Sequence, residues 1–340
     1  MYSKKNRLIK ALHGVEVDRP PFICPGGMLN MVTTEMLNKM GIAWTEIYGN
    51  TKNLTETALR VSEMSGIENL GVPFCMTVEA EALGAKIETG SLYSEPRIAS
   101  YPLDDISGWH DMKDFDINSG RMAIIRGAVR ELAAAGTGLP VIVSLTGPVS
   151  LATSLLEPMT FFRAMHNNST EAHALLGFLT ENIIRFAGAL AEAGADILTI
   201  ADPSSGGEIM GPAGFSGFAL PYINRILQET ESVYSATMVH ICGRLNSIFP
   251  QLNDLYTQSI SIDSATSTEA IRNAVPGKVI AGNISTHLLQ AGSAEQVKKS
   301  ARYCLSHGIK ILAPACGLSM RTPIRNLKAV AEVASEWKIL

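Results

Sequence analysis

The fold is decided by residues 140–202, in which the apolar segments PVIVSLTG (Pro140 to Gly147) and ADILTIAD (Ala195 to Asp202) flank a long helix-like stretch. Within that stretch, PMTFFRAMHNNSTEAHALLGFLTENIIRFAGALAEAG, apolar residues recur at three- and four-residue spacing as far as Gly194, which is typical of one face of an α-helix. A β-segment, a helix and a second β-segment make a βαβ unit, the building block of parallel sheets.

Six further segments carry the same β signature. They are PPFIC (Pro20 to Cys24), NLGVPF (Asn69 to Phe74), ATMVHIC (Ala236 to Cys242), SISID (Ser259 to Asp263), KVIAGN (Lys278 to Asn283) and KILAPAC (Lys310 to Cys316). Eight strands with intervening helices predict a (β/α)8 TIM barrel, for which about 250 residues is typical. The alternative is a doubly wound open sheet, although the glycine-rich dinucleotide and P-loop motifs of such sheets do not occur.

The surplus length is assigned to two places. An N-terminal helix is expected around Ser3 to His13, and an insertion of about residues 75–138 between strands 2 and 3. Within the insertion, AKIETGSLYSEPRIASY predicts two strands around a turn. No linker or repeat divides the chain, so we expect residues 1–340 to form a single domain.

Composition excludes several classes of protein. Of 340 residues, 46% are hydrophobic and 18% charged, which suits a globular core rather than a disordered chain. The net charge of −4 argues against nucleic-acid binding. No run of about 18 apolar residues predicts a membrane span, so a cytoplasmic protein is expected. Five cysteines, an odd and sparse set, favour thiol or metal chemistry over disulfides.

Catalytic groups of a barrel gather at the carboxyl ends of its strands. The predicted strands end in Cys24, Asp202, His240 with Cys242, Asp263, Asn283 and Cys316. His240 and Cys242 are two residues apart on one strand, so their side chains point the same way, and Cys316 supplies a third soft ligand. One imidazole and two thiolates with an open position are typical of catalytic zinc.

Each of these residues also has a purely structural interpretation. Cysteines are often buried as small hydrophobic residues, and Cys24 precedes a glycine-rich turn that favours a small side chain. Asp202 and Asp263 are equally suited to capping helices or accepting hydrogen bonds in loops.

The chain resembles the uroporphyrinogen decarboxylase superfamily and, within it, the zinc-dependent methylcobamide methyltransferases that methylate coenzyme M. The resemblance rests on RPPFICPGGMLNM, PFCMTVEAEALGAKIETG, LTGPVSLA, ADPSSGGEIMGPAGFSGFALPY, VHICG, AGNISTHLLQAGSAEQVKK and ILAPACGLSMRTPIRNLKA. It implies zinc at His240, Cys242 and Cys316, with the acidic Asp263 completing the zinc shell in the absence of substrate. The decarboxylase branch carries an arginine-rich motif where this chain has CPGGMLN, so a methyltransferase is expected.

The resemblance also implies a mechanism. A thiol such as coenzyme M is activated as a zinc thiolate and attacks the methyl group of a methyl–cobalt(III) corrinoid, leaving cobalt(I). Because no D-x-H-x-x-G motif occurs, a separate methylated corrinoid protein is the expected partner. Asp202 and Asn283 are predicted to position the acceptor or to hydrogen-bond the zinc ligands, Arg321 to attract an anionic acceptor tail, and Cys24 to border the mouth where the corrinoid binds.

Three alternatives remain open on sequence alone. The first is a methyltransferase that uses tetrahydrofolate or another thiol as its acceptor. The second is a uroporphyrinogen decarboxylase, and the third is a non-catalytic protein that binds zinc or a corrinoid.

Overall fold

A parallel sheet forms the centre of the molecule. The computed structural model describes residues 2–25 and 31–338. The strands are β1 (Leu70–Val72), β2 (Lys86–Glu88), β3 (Arg97–Ser100), β4 (Val141–Thr146), β5 (Ile197–Ala201), β6 (Ala236–Ile241), β7 (Ser259–Ile262), β8 (Val279–Ile284) and β9 (Ile311–Pro314). Seven of them form one sheet in the order β1-β4-β5-β6-β7-β8-β9, with every neighbouring pair parallel.

The two edges of this sheet are joined by the first predicted strand. Phe22 forms a parallel bridge with Leu312 of β9, where the Ile23 amide donates to the Leu312 carbonyl at 2.9 Å. On the other side, the Glu68 amide, just before β1, donates to the Phe22 carbonyl at 2.8 Å. The eight-membered barrel predicted from the sequence is confirmed and the open-sheet alternative is excluded, although its first strand is reduced to a single bridge.

Helices surround the barrel and cover its amino-terminal end. They are α1 (Lys4–Leu12), α2 (Thr34–Met40), α3 (Trp44–Ile47), α4 (Thr51–Ser65), α5 (Val78–Ala82), α6 (Gly120–Ala134), α7 (Pro148–Leu155), α8 (Pro158–Asn167), α9 (Ser169–Glu192), α10 (Gly207–Gly214), α11 (Leu220–Thr230), α12 (Phe249–Leu252), α13 (Thr268–Ala274), α14 (Thr286–Ala291), α15 (Ala294–Ser306) and α16 (Ile324–Glu336). The predicted N-terminal helix is α1, and Ser3 caps it by accepting the Asn6 amide. The long helical stretch after β4 divides at Asn168 into α8 and α9.

The segment between β1 and β4 contains the two predicted strands. β2 and β3 pair antiparallel and form a hairpin, with α5 before it and α6 after it. This segment occupies the place of the predicted insertion. Its status as an insertion, like the single-domain assignment, stays a prediction.

The inward-facing residues change character along the strands. Side chains of Ile142, Ile197 and Met238 pack at the amino-terminal end of the barrel against Leu8 and Leu12 of α1. Because side chains alternate along a strand, the next inward residues are His240 of β6 and then Cys242, which follows the strand. The same strands therefore present apolar groups at one end and polar groups at the other.

Helix α9 is long and apolar enough, by length and composition, to cross a membrane. However, more than half of its most apolar window is buried inside the molecule. Leu176, Leu179, Ile183 and Phe186 are fully buried and belong to the large apolar cluster around the barrel. We therefore interpret α9 as a core helix.

Candidate metal centre and adjacent cavity

Three soft side chains converge at the carboxyl ends of the strands. His240 lies on β6, Cys242 follows its last residue, and Cys316 lies two residues beyond β9. The His240 Nε2 atom is 3.0 Å from the Cys242 sulfur, which is 3.3 Å from the Cys316 sulfur. Their three ligand atoms all lie within 4.8 Å of one another, so residues 76 positions apart in the chain form one cluster.

The imidazole of this cluster is held from behind by a hydroxyl group. The register of β6 against β7 pairs His240 with Ser261, and His240 Nδ1 lies 2.9 Å from the Ser261 hydroxyl. With Nδ1 engaged by Ser261, Nε2 faces the thiols. A hydrogen bond on the far ring nitrogen is the usual way in which a metal-binding histidine is oriented.

The two thiols influence each other strongly. A hydrogen bond from Cys242, aided by His240, lowers the pKa of Cys316 to about 4 in spite of burial. The same hydrogen bond, together with burial and the nearby charge of Asp263, raises the pKa of Cys242. The pair thus holds one proton between two sulfurs, and a cation that binds both sulfurs as thiolates displaces that proton.

The donor set fits zinc. Tetrahedral zinc with nitrogen and sulfur ligands holds neighbouring ligand atoms roughly 3.5 Å apart, and the observed separations of 3.0 and 3.3 Å need only a small expansion. Among the residues that the structure describes, the metal-binding cluster contains these three members. Three protein ligands leave a fourth position for another molecule.

Asp263, the predicted fourth ligand, lies beside this cluster without belonging to it. Its carboxylate accepts the amide of Gly243 at 3.3 Å and that of Ala265 at 2.9 Å. It joins the loop after β7 to the residue that follows Cys242. Its role as a ligand stays a prediction.

Asp202 and Asn283 hold loops at the mouth. The buried Asp202 carboxylate accepts the amide and hydroxyl of Ser150 at 2.8 and 2.6 Å and the amide of Val149 at 3.2 Å, which caps α7. Burial raises the pKa of Asp202 to about 6. The Asn283 side chain donates to the carbonyls of Asp263 and Thr266. These contacts support positioning, and a direct catalytic role for either residue stays a prediction.

The remaining predicted site residues are Cys24 and Arg321, whose roles in binding the corrinoid and the acceptor stay predictions. Cys24 is buried in the apolar core, and its amide donates to the Asn69 side chain at 2.9 Å. Of the CPGGMLN segment that follows β-segment Pro20 to Cys24, residues 26–30 lie outside the described residues. The Arg321 guanidinium lies over the Tyr93 ring, 5.7 Å from its centroid.

A cavity of about 540 Å³ opens at the mouth. One wall is the end of the β2–β3 hairpin, and the others are α7, Ser204 after β5 and the segment Leu318 to Met320 after β9. Glu95 of the hairpin lines it, and burial, followed by the charge of Cys316, raises the pKa of Glu95 to about 7. Sequence reasoning missed Glu95, because nothing local in the sequence places this hairpin over the barrel.

These features define a (β/α)8-barrel protein with a cluster of potential metal ligands at the carboxyl ends of its strands. Residues 3–337 match the family model of uroporphyrinogen decarboxylase (URO-D), and the chain belongs to this family.

Relatives that match nearly the whole chain are methyltransferases. The chain is 31% identical to the methylcobamide:CoM methyltransferase MtaA of Methanosarcina barkeri, over 99% of this chain and 98% of that protein. It is 29% identical to the methylcobamide:CoM methyltransferase MtbA of Methanosarcina acetivorans, over 99% of both. A solved methyltransferase from Methanosarcina mazei has a TM-score of 0.91 at 28% identity over 99% of both chains. The predicted methyltransferase class is thereby confirmed.

Proposed function

We propose that this protein transfers a methyl group from a methylated corrinoid to a small thiol, with coenzyme M, the acceptor in the relatives' names, as the leading candidate. The observation that carries the proposal is the cluster of His240 Nε2 with the sulfurs of Cys242 and Cys316, with a cavity lined by the loop that follows Cys316. The match to MtaA, which covers 99% of this chain and 98% of MtaA, supports the same overall reaction.

The residues of the chain prepare a site for the acceptor's sulfur. Zinc held by His240, Cys242 and Cys316 would supply the acidity that converts a bound thiol to its nucleophilic thiolate near neutral pH. Ser261 orients the imidazole, and the two cysteine thiolates balance the charge of a divalent cation. Asp202 and Asn283 hold the surrounding loops, and the end of the β2–β3 hairpin forms one wall of the cavity.

The reaction balances with a corrinoid donor. The acceptor sulfur forms a bond to the methyl carbon, the cobalt–carbon bond breaks, and its electron pair stays on cobalt. The proton of the thiol leaves the sulfur. Since the sequence lacks the D-x-H-x-x-G motif, the donor is supplied on a separate corrinoid protein in the cytoplasm.

Demethylation of methylcobalamin tests this function. The zinc-loaded protein is assayed by the change in corrinoid absorbance with coenzyme M, other small thiols and tetrahydrofolate as acceptors. We expect a thiol-dependent rate that Cys316→Ala abolishes and Cys304→Ala preserves, because Cys304 lies on α15 and contacts Asn283 rather than the metal ligands. Activity with tetrahydrofolate alone would identify the other acceptor, and no thiol-dependent demethylation would refute the proposal.

A further inference from the structure

The β2–β3 hairpin presents one carboxyl group to the cavity. Glu95 is the only carboxylate among the described residues that line it. The facing walls carry hydroxyl groups, including Ser204 and Ser319, and the apolar side chain of Leu318, two residues beyond Cys316. Glu95 therefore shares this cavity with the loop that follows Cys316.

The hairpin holds Glu95 in place without neutralising it. The nearest cation along the chain, Arg97, pairs with Glu88 of the opposite strand at 2.6 Å. Arg321 lies over Tyr93, and Pro96 is buried, which anchors the residues on both sides of Glu95. In the described part of the chain, no hydrogen bond or ion pair engages the Glu95 carboxyl, so it is available to a molecule in the cavity.

The other acidic groups at the mouth are already engaged. Glu79 is buried, and its carboxylate accepts the amide and hydroxyl of Thr146 at 2.8 and 3.0 Å. Asp202 is bound by the start of α7, and Asp263 accepts two loop amides. Each of these carboxylates would have to give up structural hydrogen bonds in order to accept a proton from an acceptor, whereas Glu95 would not.

We propose that Glu95 accepts the proton of the acceptor thiol, an inference that rests on the proposed methyl transfer. The sulfur–hydrogen bond breaks, the electron pair stays on sulfur, and an oxygen–hydrogen bond forms on the Glu95 carboxylate. The sulfur then takes the methyl group while cobalt keeps the pair from the broken cobalt–carbon bond. When the methyl thioether leaves, Glu95 returns its proton to water through the open cavity.

The surroundings of Glu95 suit this exchange. Desolvation in the cavity wall raises the pKa of Glu95, which makes its carboxylate a stronger base than an ordinary one. Arg97 and Arg321 are the cations nearest in the hairpin and the facing loop, and both have other partners.

The first test compares two acceptors of similar shape and different acidity. Ethanethiol needs a base, whereas 2,2,2-trifluoroethanethiol ionises more readily because its fluorine atoms withdraw electrons. Glu95→Gln should lower kcat with ethanethiol by about 10²-fold and with trifluoroethanethiol by much less, and Glu95→Asp should restore part of the rate. The control Glu56→Gln removes an exposed carboxylate from α4, away from the cavity lining, and should retain wild-type kcat with both thiols.

The second test measures the proton itself. Calorimetric titration of ethanethiol into the zinc-loaded protein, in two buffers that differ in ionisation enthalpy, gives the protons released on binding. Wild type should release fewer protons to the buffer than Glu95→Gln, because Glu95 retains the thiol's proton. Equal release, or an equal loss of kcat with both thiols, would overturn the assignment to Glu95 while leaving methyl transfer intact. Wild-type protein without thiol-dependent demethylation would overturn both.

Discussion

The two ends of the barrel are built from the same strands but differ in their side chains, which are apolar at one end and polar at the other. At the amino-terminal end, Met238 of β6 packs against α1 in a closed apolar cluster. Two and four residues later, His240 and Cys242 reach the open mouth. In barrels of this kind, the amino-terminal face contributes stability and the carboxyl-terminal face contributes chemistry. Substitutions at the amino-terminal end should therefore leave metal binding unchanged, and substitutions at the carboxyl-terminal end should leave the stability of the fold unchanged.

The largest effect on folding is expected at the closed end. Leu8 of α1 is fully buried in the apolar cluster, so Leu8→Ala should lower the free energy of unfolding by about 3 kcal/mol. Leu8→Met, which keeps most of the volume, should cost less than about 1.5 kcal/mol. Denaturant unfolding measures both values. Zinc content per folded molecule should not change. A loss of zinc in Leu8→Ala would show that packing at the amino-terminal end also determines metal binding at the mouth.

Two serines on β7 allow the two ends of the barrel to be compared within a single strand. Ser261 bonds His240 at the mouth, whereas Ser259, two residues earlier on the same face, donates to the Leu12 carbonyl of α1 at 2.7 Å. Ser261→Ala should weaken zinc binding by about 10- to 100-fold, as measured by competition with a chelator. Ser259→Ala should instead cost about 1 kcal/mol of stability. Equal effects of both changes on zinc affinity would contradict the role assigned to Ser261.

The smallest effect is expected from an ion pair on α1. The hydrogen bond from Arg7 lowers the pKa of Asp18 to about 2, with Asp18 oxygens 2.8 and 3.0 Å from the Arg7 guanidinium. A carboxyl group whose pKa is lowered by folding stabilises the fold at pH values above its unfolded pKa of about 3.8. This contribution to stability is lost as the pH falls toward 2. Because Asp18 is partly exposed, Asp18→Asn should cost about 1 kcal/mol at pH 7.

The pH dependence distinguishes this ion pair from general packing. The stability difference between wild type and Asp18→Asn, measured by denaturant unfolding, should shrink below about pH 4. A difference that stays constant between pH 7 and pH 2 would show that the pair contributes through packing alone. Metal binding should be the same in both proteins at pH 7.

The sequence predicted the parts of the site that depend on strand order and alternation. His240 and Cys242 share a face because they are two residues apart on a strand, and Cys316 joins them because strands of a closed barrel end at the same face. Ser261 lay within a predicted strand, but its contact with His240 depends on the register between β6 and β7, which a single sequence does not define.

Contacts between distant segments account for what the sequence did not reveal. Glu95 reaches the cavity because the hairpin is anchored by residues such as Arg321, more than 200 positions away. The segment Pro20 to Cys24 was expected as a full strand, yet its pairing is limited to the bridge at Phe22. Asp202 was selected as a strand-end acid, and its contacts show that it caps α7. In each case, contacts with segments distant in the sequence determine the position or the role of the residue.

The most direct test of the metal site is elemental analysis of three purified proteins after equilibration with zinc and removal of the excess. Wild type and Leu8→Ala should each retain about one zinc ion per chain, as expected of a single three-ligand site. His240→Ala should retain little, because it removes the imidazole while leaving the closed end of the barrel intact. Zinc bound to His240→Ala at the wild-type level would contradict the assignment of the metal to His240, Cys242 and Cys316.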